Sequence, residues 1–170
     1  AVQSAHANLV IHRDLKTSNI LVSDDGQVHL LDFGIAKLLH DPLGQTSETE
    51  LTMLAGRSLT LDYASPEQLS GKPISTGSDV YSLGVILYEL IAGVTPYVLD
   101  RHDLAAAERT VRETSPEPLT QAIARNEGGR PDASERLTAR HASVNAYRAL
   151  VRGDLSRILG KALAKEPERR

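Results

Sequence analysis

The hydrophobic pattern changes rhythm along the chain, and each rhythm predicts a different element. Two short apolar runs, Ile20 to Val22 and Val28 to Leu31, flank Asp25-Gly26, a dipeptide that favours a two-residue hairpin turn. With Asp24 facing Gln27, stepping back along the ladder sets Asn19 opposite Asp32 at the open end of the hairpin. Between residues 78 and 93 the pattern turns helical and apolar nearly all round, with Val80, Leu83, Val85, Ile86, Leu87, Leu90 and Ile91, which predicts a helix inside the protein. Ser78 is the expected cap, Asp79 lies in the first turn where the helix dipole favours a negative charge, and Gly93 with Pro96 ends the helix. Shorter signals predict the end of a helix over 1–8, a helical turn over 65–70 and a closing helix over 151–165. From 100 to 150 the pattern weakens. "RHDLAAAERTVRE" is helical in composition, whereas "TSPEP" and "NEGGRPDASE" are polar and loop-like, so this stretch reads as a polar insertion on the surface of one domain.

Composition narrows the function classes. A chain of 170 residues suits one compact domain with a sizeable core. A net charge of -3 without a basic run offers no footprint for nucleic acid or for a membrane surface. The absence of cysteine excludes a disulfide framework and thiolate metal sites and is compatible with a reducing cytoplasm. No signal peptide is expected from the opening residues, and the longest apolar stretch, Leu83 to Val94, contains Glu89 and is too short to cross a bilayer. A cytoplasmic location is expected for this segment, including the case of a membrane-tethered parent.

The candidate chemistry is concentrated in "VIHRDLKTSNILV", which brings Asp14, Lys16 and Asn19 within six positions. With Asp32 set opposite Asn19, a carboxamide and a carboxylate share one mouth. Oxygen donors without clustered His or Cys suit a hard cation such as Mg2+, which keeps waters and shares ligands with phosphate.

"HRDLKTSN" followed by "DFG" resembles the catalytic loop and metal-binding motif of protein kinases, with the same spacing from Asp to Asn. "YASPE" at 63–67 resembles the family's A-P-E motif with Ser65 in place of the usual Ala. "SDVYSLGVILYELIAGVTPY" resembles its central helix and "KALAKEPERR" the segment that closes the large lobe. These matches run in family order along nearly the whole chain. The resemblance implies an α+β, kinase-like fold: a predominantly helical large lobe over residues 1–170 with a small catalytic-loop hairpin, the small lobe being absent.

For function, the resemblance implies transfer of the γ-phosphoryl group of ATP to serine or threonine hydroxyls of protein substrates, in signalling by a bacterial, eukaryotic-like kinase. Asp14 then accepts or orients the proton of the attacking hydroxyl, and Lys16 neutralises the phosphoryl group in transit while contacting the nucleotide. Asn19 and Asp32 hold Mg2+ against the phosphates. His12 reads as a packing and hydrogen-bonding residue. Lys16, two residues after the catalytic Asp, and Thr60, seven residues before Glu67, resemble serine/threonine kinases. Arg13 implies control by a phosphate on the activation segment, with Thr46, Ser47, Thr49, Thr52 and Ser58 as unranked acceptors. In the family the residue matching Asp79 bonds the backbone of the catalytic loop, a role compatible with capping. The residues matching Glu67 and Arg170 form an ion pair, although Arg170 could equally be a solvated terminal arginine. No glycine-rich loop, strand lysine or helix glutamate precedes the loop, so the chain is expected to be most of a large lobe and inactive without the missing small lobe. A pseudokinase scaffold and a small-molecule phosphotransferase of kinase-like fold are the alternatives.

Overall fold

The computed structural model describes residues 1–32, 61–127, 151 and 153–170. The elements are α1 (Val2–Ala7), β1 (Ile20–Val22), β2 (Val28–Leu30), α2 (Pro66–Leu69), α3 (Thr76–Ala92), α4 (Leu104–Glu113), α5 (Leu119–Glu127) and α6 (Asp154–Ala162). Single 3-10 turns cover Thr17–Asn19, Leu61–Tyr63 and Pro167–Arg169.

Helix α3 is the axle around which the rest packs. Its cap is Ser75, whose hydroxyl accepts from the Gly77 N–H, while the Ser78 hydroxyl accepts from the Ser75 N–H. The sequence expectation of Ser78 as the cap is therefore three residues late. Ser78 is instead the third helical residue of a capping box, a role that a serine fills from either end of the motif. Gly93 closes the helix in the left-handed conformation.

Tyr81, Val85, Ile86 and Tyr88 of α3 are buried against Val111 of α4, Leu119, Ala122 and Ile123 of α5 and Leu159 of α6. Each such side chain contributes about 1.5–3 kcal/mol through burial. The Tyr88 hydroxyl is satisfied by the Glu117 carbonyl at 2.9 Å. At Gly84 an added Cβ would lie 2.9 Å from the Ala162 Cβ, so the close approach of α6 requires a glycine there. The helix is not enclosed on every side, since Leu90 is 57 % exposed.

Within the stretch read as a polar surface excursion, residues 104–113, helical in composition, form α4 and residues 119–127 form α5. Ala107, Val111, Leu119, Ala122 and Ile123 point inward from them, spaced three or four apart within each helix. The remainder of that stretch, 128–150, lies outside the described residues.

The hairpin register also differs. Ile20 pairs with Leu30, Leu21 with His29 and Val22 with Val28, and with Ser23 bonded to Gln27 three residues, Asp24 to Gly26, remain in the loop. Ser23 N–H donates to the Gln27 carbonyl and Gly26 N–H to the Ser23 carbonyl, with Gly26 at φ 81. The longer loop is favoured by the Asp25 carboxylate, which accepts from the Ser23 hydroxyl at 2.5 Å and from the Gln27 N–H at 3.3 Å. Gly26 takes the left-handed position that such a loop requires.

Candidate active site

The polar cluster of residues 12–19 sits on a loop between α1 and β1, and its backbone is anchored from below by Asp79. That carboxylate is 1 % exposed. It accepts from the His12 N–H at 2.8 Å, from the Arg13 N–H at 2.9 Å and shares a 2.8 Å hydrogen bond with His6 Nε2. Asp79 is thus both a first-turn carboxylate of α3 and the acceptor for the loop. His12 supplies a second anchor. Its Nδ1 accepts from the Asp14 N–H at 3.3 Å, so the proton is assigned to Nε2, which lies 3.1 Å from the Leu31 carbonyl. An imidazole that is 1 % exposed and bridges the loop to the residue before Asp32 is a structural part.

Among the described residues, three non-glycine residues have left-handed backbones, Leu9 at φ 59, Arg13 at φ 69 and Asp32 at φ 50. Such conformations cost of order 1–3 kcal/mol each and persist where surroundings over-determine them. Arg13 and Asp32 are both candidate site residues.

The Asp14 carboxylate lies 3.0 Å from the Lys16 ammonium, the two side chains being 20 % and 22 % exposed. Asn19 is buried and donates from Nδ2 to the Asp14 carbonyl at 2.9 Å, with a longer contact of 3.4 Å to the Asp14 carboxylate. The shifted register means that Asn19 does not face Asp32. Its carbonyl accepts from the Leu31 N–H at 2.8 Å, and Asp32 follows one residue beyond that pair.

The donor chemistry fits Mg2+. The Nδ2 bonds turn the amide nitrogen toward Asp14 and leave Asn19 Oδ1 as one hard donor, and the Asp32 carboxylate, one residue beyond the Asn19–Leu31 backbone pair, is a second. Among the described residues no group of three or more His, Cys, Asp or Glu forms a cage. Few protein oxygens suit a cation that retains water and binds phosphate.

A hydrogen-bond chain that sequence reasoning missed starts at Thr17, the residue after Lys16. Tyr63 donates from its hydroxyl to Glu89 at 2.7 Å, so the Thr17 hydroxyl at 2.8 Å is the donor to Tyr63. Burial, reinforced by the Glu89 bond, pushes the Tyr63 phenol up to about 12. These residues line a cleft of about 680 Å3 next to Lys16, together with Tyr97 and Arg101. Long-range contacts of this kind have no local sequence signal.

Glu67 and Arg170 meet. Arg170 Nη1 donates to Glu67 Oε1 at 2.6 Å and Nη2 to Oε2 at 2.9 Å, with the two side chains 0 % and 3 % exposed. The other guanidinium donors go to the carbonyls of Ala164, Gly77 and Lys165 at 2.8, 3.0 and 2.9 Å. All five N–H groups of the fork are therefore used. The Tyr81 ring lies 4.9 Å from the guanidinium. Burial alone would raise the Glu67 carboxyl, but the bonds from Arg170 and Ser78 outweigh it and hold its pKa below the ordinary value. Beside this pair, burial and the Arg170 charge lower Lys165 to about 8. Lys165 donates to the Tyr97 hydroxyl at 2.7 Å and to the Val111 carbonyl. Thr60 and the acceptor candidates Thr46, Ser47, Thr49, Thr52 and Ser58 lie outside the described residues.

The protein kinase domain family matches residues 1–170, and the chain belongs to that family. Its helical body with a two-stranded sheet is the corresponding fold. Among curated relatives, the chain is 36 % identical over 170 residues to the serine/threonine-protein kinase PknB of Mycobacterium leprae, covering all of this chain and 22 % of the relative. The PknB of Mycobacterium tuberculosis is 35 % identical over the same span and coverage. A probable serine/threonine-protein kinase PknB of Lactococcus lactis is 44 % identical over 97 residues, 57 % of this chain and 14 % of the relative. The chain thus spans about a fifth of the length of the mycobacterial relatives, 22 %. No helix among the described residues is long and apolar enough to cross a membrane.

Proposed function

We propose that this chain is the catalytic large lobe of an ATP-dependent serine/threonine protein kinase. The observation that carries the reading is the Asp14–Lys16–Asn19 cluster, held by a backbone that Asp79 and His12 tie down from two sides. In this reading Asp14 orients the acceptor hydroxyl and takes up its proton, and Lys16 offsets charge on the phosphoryl oxygens. Asn19 Oδ1 and the Asp32 carboxylate would hold Mg2+, which when bound neutralises and bridges the nucleotide phosphates. Arg13 is the candidate partner for an activation-segment phosphate on one of the acceptors named above, and Thr60 is the residue that the family resemblance matches to the serine/threonine-kinase pattern. The cleft beside Lys16 and Tyr63 is the candidate bed for the substrate polypeptide. The full-length protein would act in the cytoplasm or from its cytoplasmic face.

The test is incubation of the full-length protein with γ-labelled ATP and Mg2+, followed by acid hydrolysis and identification of the labelled amino acid. Phosphoserine or phosphothreonine is expected, and Asp32→Ala should abolish the label and weaken Mg2+-dependent nucleotide binding. Nucleotide binding without any transfer would identify a pseudokinase scaffold. Label confined to small molecules would identify a small-molecule phosphotransferase.

A further inference from the structure

The residue immediately before Asp14 is gripped at both of its backbone polar groups. Arg13 has a left-handed backbone at φ 69, a region that a long side chain rarely occupies unless its surroundings hold it there. Its N–H is taken by Asp79 Oδ1 at 2.9 Å, and its carbonyl by Gln68 Nε2 at 2.8 Å, across 55 residues of sequence. The direction of the Gln68 carboxamide is fixed by its other end. Oε1 accepts from both the Ser65 N–H and the Ser65 hydroxyl, each at 3.0 Å, so the nitrogen faces the Arg13 carbonyl. Gln68 also directly follows Glu67, whose carboxylate is locked to Arg170. The side chain thus lies between the anchored end of the activation segment and the strained peptide that aims Asp14.

We propose that Gln68 is a positioning residue for catalysis, clamping the Arg13 carbonyl so that α2 and the catalytic loop keep one relative placement. This rests on the kinase reading for its kinetic consequence, though the clamp itself does not. Gln68→Glu separates the two jobs of the side chain, because it keeps an oxygen for Ser65 and turns the donor toward Arg13 into an acceptor. Ser65→Ala is the converse, removing the hydroxyl while leaving the donor to Arg13.

In the full-length protein, Gln68→Glu is expected to lower kcat about tenfold or more with the KM for ATP within about twofold, since misplacement of a reacting group slows chemistry without weakening distant nucleotide contacts. Hydrogen exchange of the Arg13 and Asp14 amides should quicken in the same variant. Ser65→Ala should leave kcat within about twofold. If Gln68→Glu lowers the unfolding midpoint by more than a few degrees, Gln68→Met removes the donor without adding charge and is read in the same two ways. Unchanged kcat and unchanged exchange in the Gln68 variants would overturn the proposal, as would an equal loss in Ser65→Ala, which would assign the effect to the helix cap. A wild-type protein without Asp14-dependent transfer would sink the kinase reading alone, and exchange at Arg13 and Asp14 would still decide the clamp.

Discussion

The catalytic loop and the Glu67–Arg170 anchor are both built on charged groups, yet they use them in opposite ways. In the anchor the charges are removed from water, 0 % and 3 % exposed, and every guanidinium donor has an acceptor. In the loop, Asp14 and Lys16 retain about a fifth of their exposure, 20 % and 22 %, and the fixing is done by the backbone through Asp79, His12 and Gln68. A saturated, buried pair holds one geometry and has no capacity left for a ligand. A half-open pair on a clamped backbone keeps its position while its charges stay available to a substrate. Structural charges are satisfied through their own side chains, and the charges proposed to react are positioned through their neighbours.

That contrast fixes the expected order of mutational effects. Removing one member of the anchor, as in Arg170→Met or Glu67→Ala, leaves a buried charge or buried donors unpaired and should cost about 3–5 kcal/mol in urea unfolding of the full-length protein. A double-mutant cycle with no coupling would place the pair outside the stabilising framework. The anchor has a pH signature as well. Because the folded-state pKa of Glu67 is depressed, its contribution is present above the unfolded carboxyl value and is lost as pH falls through the folded one. Wild type should therefore lose stability more steeply than Glu67→Gln below about pH 4.5; parallel curves would contradict the assignment. Next in size is Asp79→Ala, which strips an acceptor from the His12 and Arg13 amides. About 1–3 kcal/mol is expected, with faster hydrogen exchange at those two amides. Unchanged exchange would mean that the loop is held by something else. The smallest effect belongs to the hairpin tip, where Gly26→Ala should cost about 1 kcal/mol through its left-handed backbone alone, since nothing lies within 4 Å of the added methyl.

What was legible in the sequence follows the same division. The loop residues Asp14, Lys16 and Asn19 are contiguous, so their spacing can be read directly, and helix α3 announces itself through its apolar run and its glycine stop. The hairpin tip was misread by one residue because a side chain, the Asp25 carboxylate reaching Ser23 and Gln27, stabilises a three-residue loop where Asp-Gly usually signals two. That slip moved Asn19 from Asp32 to Leu31. Helix α4 was legible from composition in "RHDLAAAERTVRE", but its inward face, Ala107 and Val111 four apart, is made of small residues in a charged stretch and carries little apolar signal. The Gln68 clamp and the Thr17–Tyr63–Glu89 chain join residues 26 to 55 positions apart. No periodicity or local motif encodes a meeting at that distance.

The account's central claim is that Asp14 is a reacting group whose placement, and not whose own bonding, is what the surrounding fold maintains. The most direct measurement is kcat and urea stability of Asp14→Asn in the full-length protein, side by side. The account predicts a fall in kcat of about 100-fold or more with stability within about 0.5 kcal/mol of wild type. A kcat within about threefold of wild type, or a loss of stability as large as that of the anchor variants, would contradict it.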